Sequence, residues 1–119
     1  MTDCVFCRIV SKESPAVIRH ESDNVIAFDN TNPVSEYHLL IVPKRHIRSF
    51  HDISYEDKDT VFSMIEAVQK LIKKFGLDQG YKLVTKMDRY QNIPHFHWHL
   101  LSGNLKSDNV LKKEEFENI

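Results

Sequence analysis

The sequence predicts an antiparallel α+β domain, a sheet of about five strands with one long helix and one short one. Three observations carry that expectation. Residues 55–75 place apolar side chains at helical period. Five other segments are short, rich in β-branched or aromatic residues and separated by polar turns. Strands and helices do not alternate, so the parallel sheet of a repeated strand–helix unit is not expected.

In chain order, a short helix begins near Cys4 and carries Phe6, Arg8 and Ile9. Strands follow at 17–21, 24–28 and 39–42, with Pro43 ending the third. Ser54 is a good N-cap for the long helix, with Asp57 three residues on. Val61, Met64, Ile65, Val68, Leu71, Ile72 and Phe75 form one apolar stripe that faces the core, and Gly76 stops the helix. Two further strands are expected at 81–86 and 96–101. From 104 to 119 the charge mixture around Lys112-Lys113-Glu114-Glu115 reads as a solvated tail or a short terminal helix.

A chain of 119 residues supports one domain, 1–119, with its core at about 4–103. Net charge is −1, which supplies no basic field for nucleic acid, although local donors can still bind a small anion. No apolar run approaches the length of a bilayer span, and Met1-Thr2-Asp3-Cys4 does not start like a signal peptide. A cytoplasmic protein without a membrane partner is expected, with Cys4 and Cys7 as thiols or metal ligands rather than a disulfide.

The sharpest local feature is His95-Phe96-His97-Trp98-His99-Leu100-Leu101. In an extended chain, alternate residues share a face, so three imidazoles stand opposite Phe96, Trp98 and Leu100. Two chemistries fit. Alternating histidines can hold one catalytic metal with an open position. Alternatively, the middle imidazole attacks while its neighbours bind an anion and handle protons. The second requires an unprotonated attacking nitrogen, so the other ring nitrogen should donate to a fixed acceptor such as a backbone carbonyl. His38 and His46 sit at a strand end and in the loop after it, where site residues collect, whereas His20 and His51 have no partner pattern. Cys4-Val5-Phe6-Cys7 lacks the preceding strand of a redox unit and reads better as half a metal site or as two buried thiols.

These blocks resemble the histidine triad (HIT) family of nucleotide hydrolases and transferases, in its hint-type branch. The resemblance runs from Cys4 to Gly103. It covers the triad, Cys4-x-Phe6-Cys7-Arg8-Ile9, Ala27-Phe28, Asn32-Pro33, His38 through His46, and Gly80-Tyr81-Lys82-Leu83-Val84. It implies hydrolysis or transfer at the α-phosphate of adenosine nucleotides, with phosphoramidates and dinucleoside polyphosphates as substrate classes. His97 would be the nucleophile and form a nucleotidyl-histidine. His99 would hold phosphate oxygens or assist the leaving group, and His38 would support the cluster. Phe6, Ile9 and Phe28 would surround a purine base, Asn30 and Thr31 would meet the ribose, and the backbone around Gln91 and Asn92 would donate to the phosphate. Cys4, Cys7, His46 and His95 would hold one structural zinc per chain. A homodimer is implied as well.

Three positions depart from the family pattern. Asn30 stands where the ribose-binding aspartate is usual, and Asn92 where the branch has a serine. Lys86-Met87-Asp88-Arg89-Tyr90 replaces a longer glycine-containing loop, and Lys86 and Arg89 either meet extra phosphate charge or are solvated. Two other classes follow: a nucleotide- or partner-binding protein with little catalysis, and a metallohydrolase with its metal on all three triad histidines.

Overall fold

A computed structural model describes residues 4–105. Helix α1 (Val5–Val10) opens the chain, and its N-terminus is capped by the Cys4 sulfur, which accepts from the Cys7 N–H at 3.5 Å. Strands β1 (Ile18–Glu21), β2 (Val25–Asp29) and β3 (Ser35–Pro43) follow, then helix α2 (Lys58–Phe75), β4 (Lys82–Thr85) and β5 (Trp98–Leu105). The strands form one five-stranded antiparallel sheet in the order β1-β2-β3-β5-β4. The antiparallel α+β expectation is met.

Several boundaries move for physical reasons. Tyr55–Asp57 is a 3-10 turn, and α2 becomes α-helical only at Lys58. The capping box of Ser54 and Asp57 closes around that turn, and Arg45 grips the same Asp57 carboxylate at 3.0 Å. Gly76 ends α2 at φ 65°, the left-handed cap expected of it. β3 begins four residues before the expected Leu39, at Ser35, because it pairs with a β5 that continues to Leu105. Polar Ser35, Glu36 and Ser102 carry little strand propensity, and their pairing overrides it. Gly103 lies in that stretch at φ 83°, where a Cβ would fall 2.8 Å from the Glu36 Cβ. At its other end β5 starts at Trp98, two residues later than expected. Pro94 has no N–H, and the Phe96 N–H donates to Ile47 O at 2.6 Å rather than to a neighbouring strand. Apart from residues 104 and 105, which continue β5, the tail at 104–119 lies outside the described residues.

Alternation along the strands divides the core in two. Val25, Ala27, Leu39, Ile41, Phe96 and Leu100 pack under α2, which contributes Met64, Ala67, Val68 and Leu71. Ile65, expected on the buried stripe, is instead 39% exposed, while Ala67 is fully buried in the core. On the opposite face Ile26, Phe28, Leu40 and Val42 meet Phe6 and Ile9 of α1. Six residues of helix cover far less sheet than eighteen, and the functional groups occupy the part left open.

Candidate active site and metal centre

The histidine segment approaches β5 extended but outside the hydrogen-bonded ladder, so only His99 stands on the strand itself. Its alternation survives: Phe96, Trp98 and Leu100 pack toward α2, while the His97 and His99 rings adjoin on the other face, centroids 4.9 Å apart. Phe6 stands edge-on to both His95 and His97, so the short helix packs directly on the triad.

Each triad ring has a distinct partner. His97 donates from Nδ1 to the His95 carbonyl at 2.6 Å, which leaves the Nε2 lone pair free of a proton. Burial lowers the His97 pKa against the rise from that hydrogen bond, and the Lys86 charge lowers it further. The ring is therefore neutral near pH 7, as a nucleophile requires.

A chain of tautomers fixes His99. The Val34 N–H donates to His38 Nδ1 at 3.1 Å, so a neutral His38 carries its proton on Nε2. That proton points to His99 Nδ1 at 2.9 Å, so a neutral His99 carries its own on Nε2. Burial, with the charges of His97, His38 and Lys86, holds His99 down to about 3. His99 thus offers a neutral N–H donor beside the His97 lone pair.

Both rings line a cleft of about 300 Å³. Its wall includes Phe6, Ile9, Phe28, Asn30, Thr31 and Asn92, all singled out in the sequence. Val5, Pro15, Ala16 and Ile93 add to the apolar part, and Asp29 stands at its rim, held by Arg19 through two hydrogen bonds of 3.0 and 2.8 Å. No sequence pattern marked these additions, because loops and helix ends meet there only in the folded chain. Gln91 does not line the cleft: its N–H donates to Asp88 O at 2.9 Å and its side-chain amide to Arg48 O at 3.0 Å. His38 does not line it either. It stands behind His99, beside a smaller cavity of about 160 Å³ and within hydrogen-bond reach of the His99 ring, where it can support the cluster. His51 neighbours Ser49, and His20 lies on β1.

Next to the cleft, Cys4, Cys7, His46 and His95 place one ligand atom each within 4.8 Å of one another. His95 Nδ1 is 3.4 Å from Cys4 Sγ and 3.6 Å from Cys7 Sγ, and Cys7 Sγ is 3.2 Å from His46 Nδ1. Ligands at usual thiolate and imidazole distances from a tetrahedral metal ion are about 3.5 Å apart, so the four residues fit such an ion. His95 donates from Nε2 to Pro43 O at 2.8 Å, which fixes the tautomer that turns Nδ1 toward the sulfurs. The three triad rings therefore do not converge on one metal: His95 faces the cysteines, while His97 and His99 use their Nδ1 atoms elsewhere.

The family model described as "Scavenger mRNA decapping enzyme C-term binding" matches residues 3–114. An uncharacterized HIT-like protein of Methanocaldococcus jannaschii is 30% identical over 118 residues, covering 98% of this chain and 91% of that protein. The chain belongs to the histidine triad family. Other HIT relatives agree. The purine nucleoside phosphoramidase of Escherichia coli is 32% identical over 104 residues, covering 85% of this chain and 87% of the enzyme. Among solved structures, a histidine triad protein from Clostridium difficile superposes with a TM-score of 0.82 at 35% identity, covering 92% of this chain and 97% of that one. A HIT family hydrolase from Clostridium thermocellum gives 0.83 at 32% identity, covering 92% and 98%.

Proposed function

We propose that this HIT protein hydrolyses or transfers a nucleoside monophosphate, acting at the α-phosphate of adenosine nucleotides through a nucleotidyl-histidine on His97. The observation that carries the reading is the 2.6 Å hydrogen bond from His97 Nδ1 to the His95 carbonyl, beside a cleft with an apolar end. Nε2 attacks phosphorus, and the bond from phosphorus to the leaving oxygen or nitrogen breaks with its electron pair on the leaving atom. The His99 Nε2–H donates to a phosphate oxygen or to that leaving atom. Water then attacks the same phosphorus, the phosphorus–nitrogen bond breaks, and His97 and the monophosphate are released. Phe6, Ile9 and Phe28 hold the base by apolar contact, Asn30 and Thr31 meet the ribose, and Asn92 flanks the phosphate. The name of the Escherichia coli relative, a purine nucleoside phosphoramidase, supports this substrate class.

The metal in this reading is zinc, one per chain and structural, since two thiolates and two imidazoles complete its shell. It ties α1 to the segment before β5. A homodimer belongs to the same reading. β4 is an unpaired sheet edge among the described residues, and Leu83 there and Phe62 and Ile65 on α2 expose 48%, 60% and 39% of their surface. Among the described residues, no helix is long and apolar enough to cross a membrane.

His97→Ala tests the chemistry against an adenosine phosphoramidate and a dinucleoside polyphosphate. Turnover should fall by about a thousandfold or more, with affinity for adenosine monophosphate kept within a few-fold. Full residual activity would overturn the covalent mechanism. Tight binding by the wild type with no turnover of either substrate would instead favour a nucleotide-binding HIT protein.

A further inference from the structure

The strand order works as a ruler across the cleft face. α1 and its apolar side chains lie over β2 and β3, the reacting histidines stand on and before β5, and β4 is the next strand out. A nucleotide with its base against Phe6 and Phe28 and its α-phosphate at His97 therefore runs outward over β4 with whatever leaves. The last residue of β4, Thr85, pairs with Trp98 and donates from its hydroxyl to His97 O at 3.1 Å. Val84 pairs with His99, and the register ends at Thr85 and Trp98; carried one residue further, it would set Lys86 on the His99 face and opposite His97.

We propose that Lys86 binds the phosphates beyond the α-phosphate and so selects substrates whose leaving group is itself a phosphate chain. The inference rests on the reaction proposed above and goes further, to the choice of leaving group. When His97 attacks such a substrate, the bond from the α-phosphorus to the bridging oxygen breaks and its electron pair stays on that oxygen. The departing phosphate chain gains one negative charge, and it needs a cation more than it needs a proton. An amine leaving group needs a proton instead, and it carries no phosphates beyond the α-phosphate. Beyond the α-phosphate, the Lys86 ammonium has an anion to bind in the first case and none in the second. It is half-buried, burial lowers its pKa, and its charge adds to the burial that lowers the pKa values of both His97 and His99. An anion placed there would pair with a partly desolvated ammonium whose charge is felt at both reacting rings. The register of β4 against β5, carried past Thr85, favours phosphate contact for Lys86 over solvent.

The test compares wild type, Lys86→Gln and Lys86→Arg in two assays. In the first, the ratio of kcat/KM for a dinucleoside tetraphosphate to that for an adenosine phosphoramidate should fall at least about tenfold in Lys86→Gln and largely recover in Lys86→Arg. In the second, calorimetry in the His97→Ala background compares adenosine triphosphate with adenosine monophosphate. The triphosphate should bind more tightly when residue 86 is lysine, and the difference should vanish with glutamine. An unchanged substrate ratio, or a triphosphate preference that ignores residue 86, overturns the proposal. If the wild type turns over neither substrate, the reaction proposed above fails, and the binding assay still decides the role of Lys86.

Discussion

The two faces of the sheet are built from the same strands and have opposite characters. Under α2 a large apolar cluster is buried, with Met64, Ala67 and Leu71 fully buried. On the other face, β2 and β3 supply an equally apolar surface, yet α1 covers only part of it and five histidines occupy the margin. A helix of six residues is too short to be stable by itself. What holds it is different in kind: Cys4 at its N-cap and Cys7 one turn on reach His46 and His95. On one face packing area fixes the structure, and on the other the metal proposed for these four residues would substitute for missing area.

Removing the metal should therefore produce the largest effect and confine it to one face. Structural zinc contributes apparent free energies of up to about 10–16 kcal/mol in small zinc-binding peptides, more than any single apolar contact supplies. Cys7→Ser, or chelation of the wild type, should release zinc by elemental analysis and lower Tm more than any one core truncation. Affinity for adenosine monophosphate should fall with it, because Phe6 and Ile9 ride on α1. Amide exchange should rise in α1 and stay slow in α2. An unchanged Tm after complete zinc loss would break the comparison.

The same contrast explains what the sequence made legible. Closed packing writes a period: the stripe of α2 and the alternation of Phe96, Trp98 and Leu100 could be read directly, and only details such as Ile65 and Ala67 shifted with the helix rotation. The triad, the cysteine pair and His46 were legible because such chemistry needs specific residue types. Hydrogen-bond direction was not. That Gln91 would engage Asp88 and Arg48, and that Val34 would set the tautomer of His38, depend on loop geometry between residues far from any periodic pattern. The strand limits at Ser35 and Leu105 were likewise set by partners, not by propensity.

Intermediate effects distinguish the faces by pH. Leu71→Ala empties a fully buried site under α2 and should cost about 2–5 kcal/mol at every pH, while the ratio of kcat/KM between substrates stays as in wild type. His99→Asn should act through pH instead. The His99 pKa is about 3 in the folded chain, below its ordinary value of 6.5, so from 6.5 down to about 3 the unfolded chain binds a proton that the folded chain refuses. The stability this gives is complete above pH 6.5 and is lost as pH falls toward 3. Denaturant titrations from pH 7 to pH 4 should show a shallower loss in His99→Asn than in wild type, and a parallel offset in Leu71→Ala. Parallel curves for both variants would mean that the cleft face responds like the packed one.

The smallest effect sharpens the comparison most, because it concerns a single atom. Asn30 accepts the Asn32 N–H on Oδ1 at 2.8 Å and turns Nδ2 to within 3.2 Å of His38 Nε2. That nitrogen of His38 carries the proton directed at His99, since Nδ1 already accepts from Val34. Two N–H groups therefore face each other, and rotating the amide would only move the conflict to Asn32. A carboxylate has two acceptor oxygens and would satisfy both donors at once. Asn30→Asp should raise stability by about 1 kcal/mol near pH 7, seen as a rise of a few degrees in Tm. It should also draw the His38 proton away from His99 Nδ1 and lower turnover a few-fold without changing zinc content. On the packed face an isosteric change has no comparable lever, because no proton is being shared there. A fall in Tm on Asn30→Asp would mean that the burial cost of the new charge exceeds the two hydrogen bonds it gains, and that the amide is the better partner for this cluster.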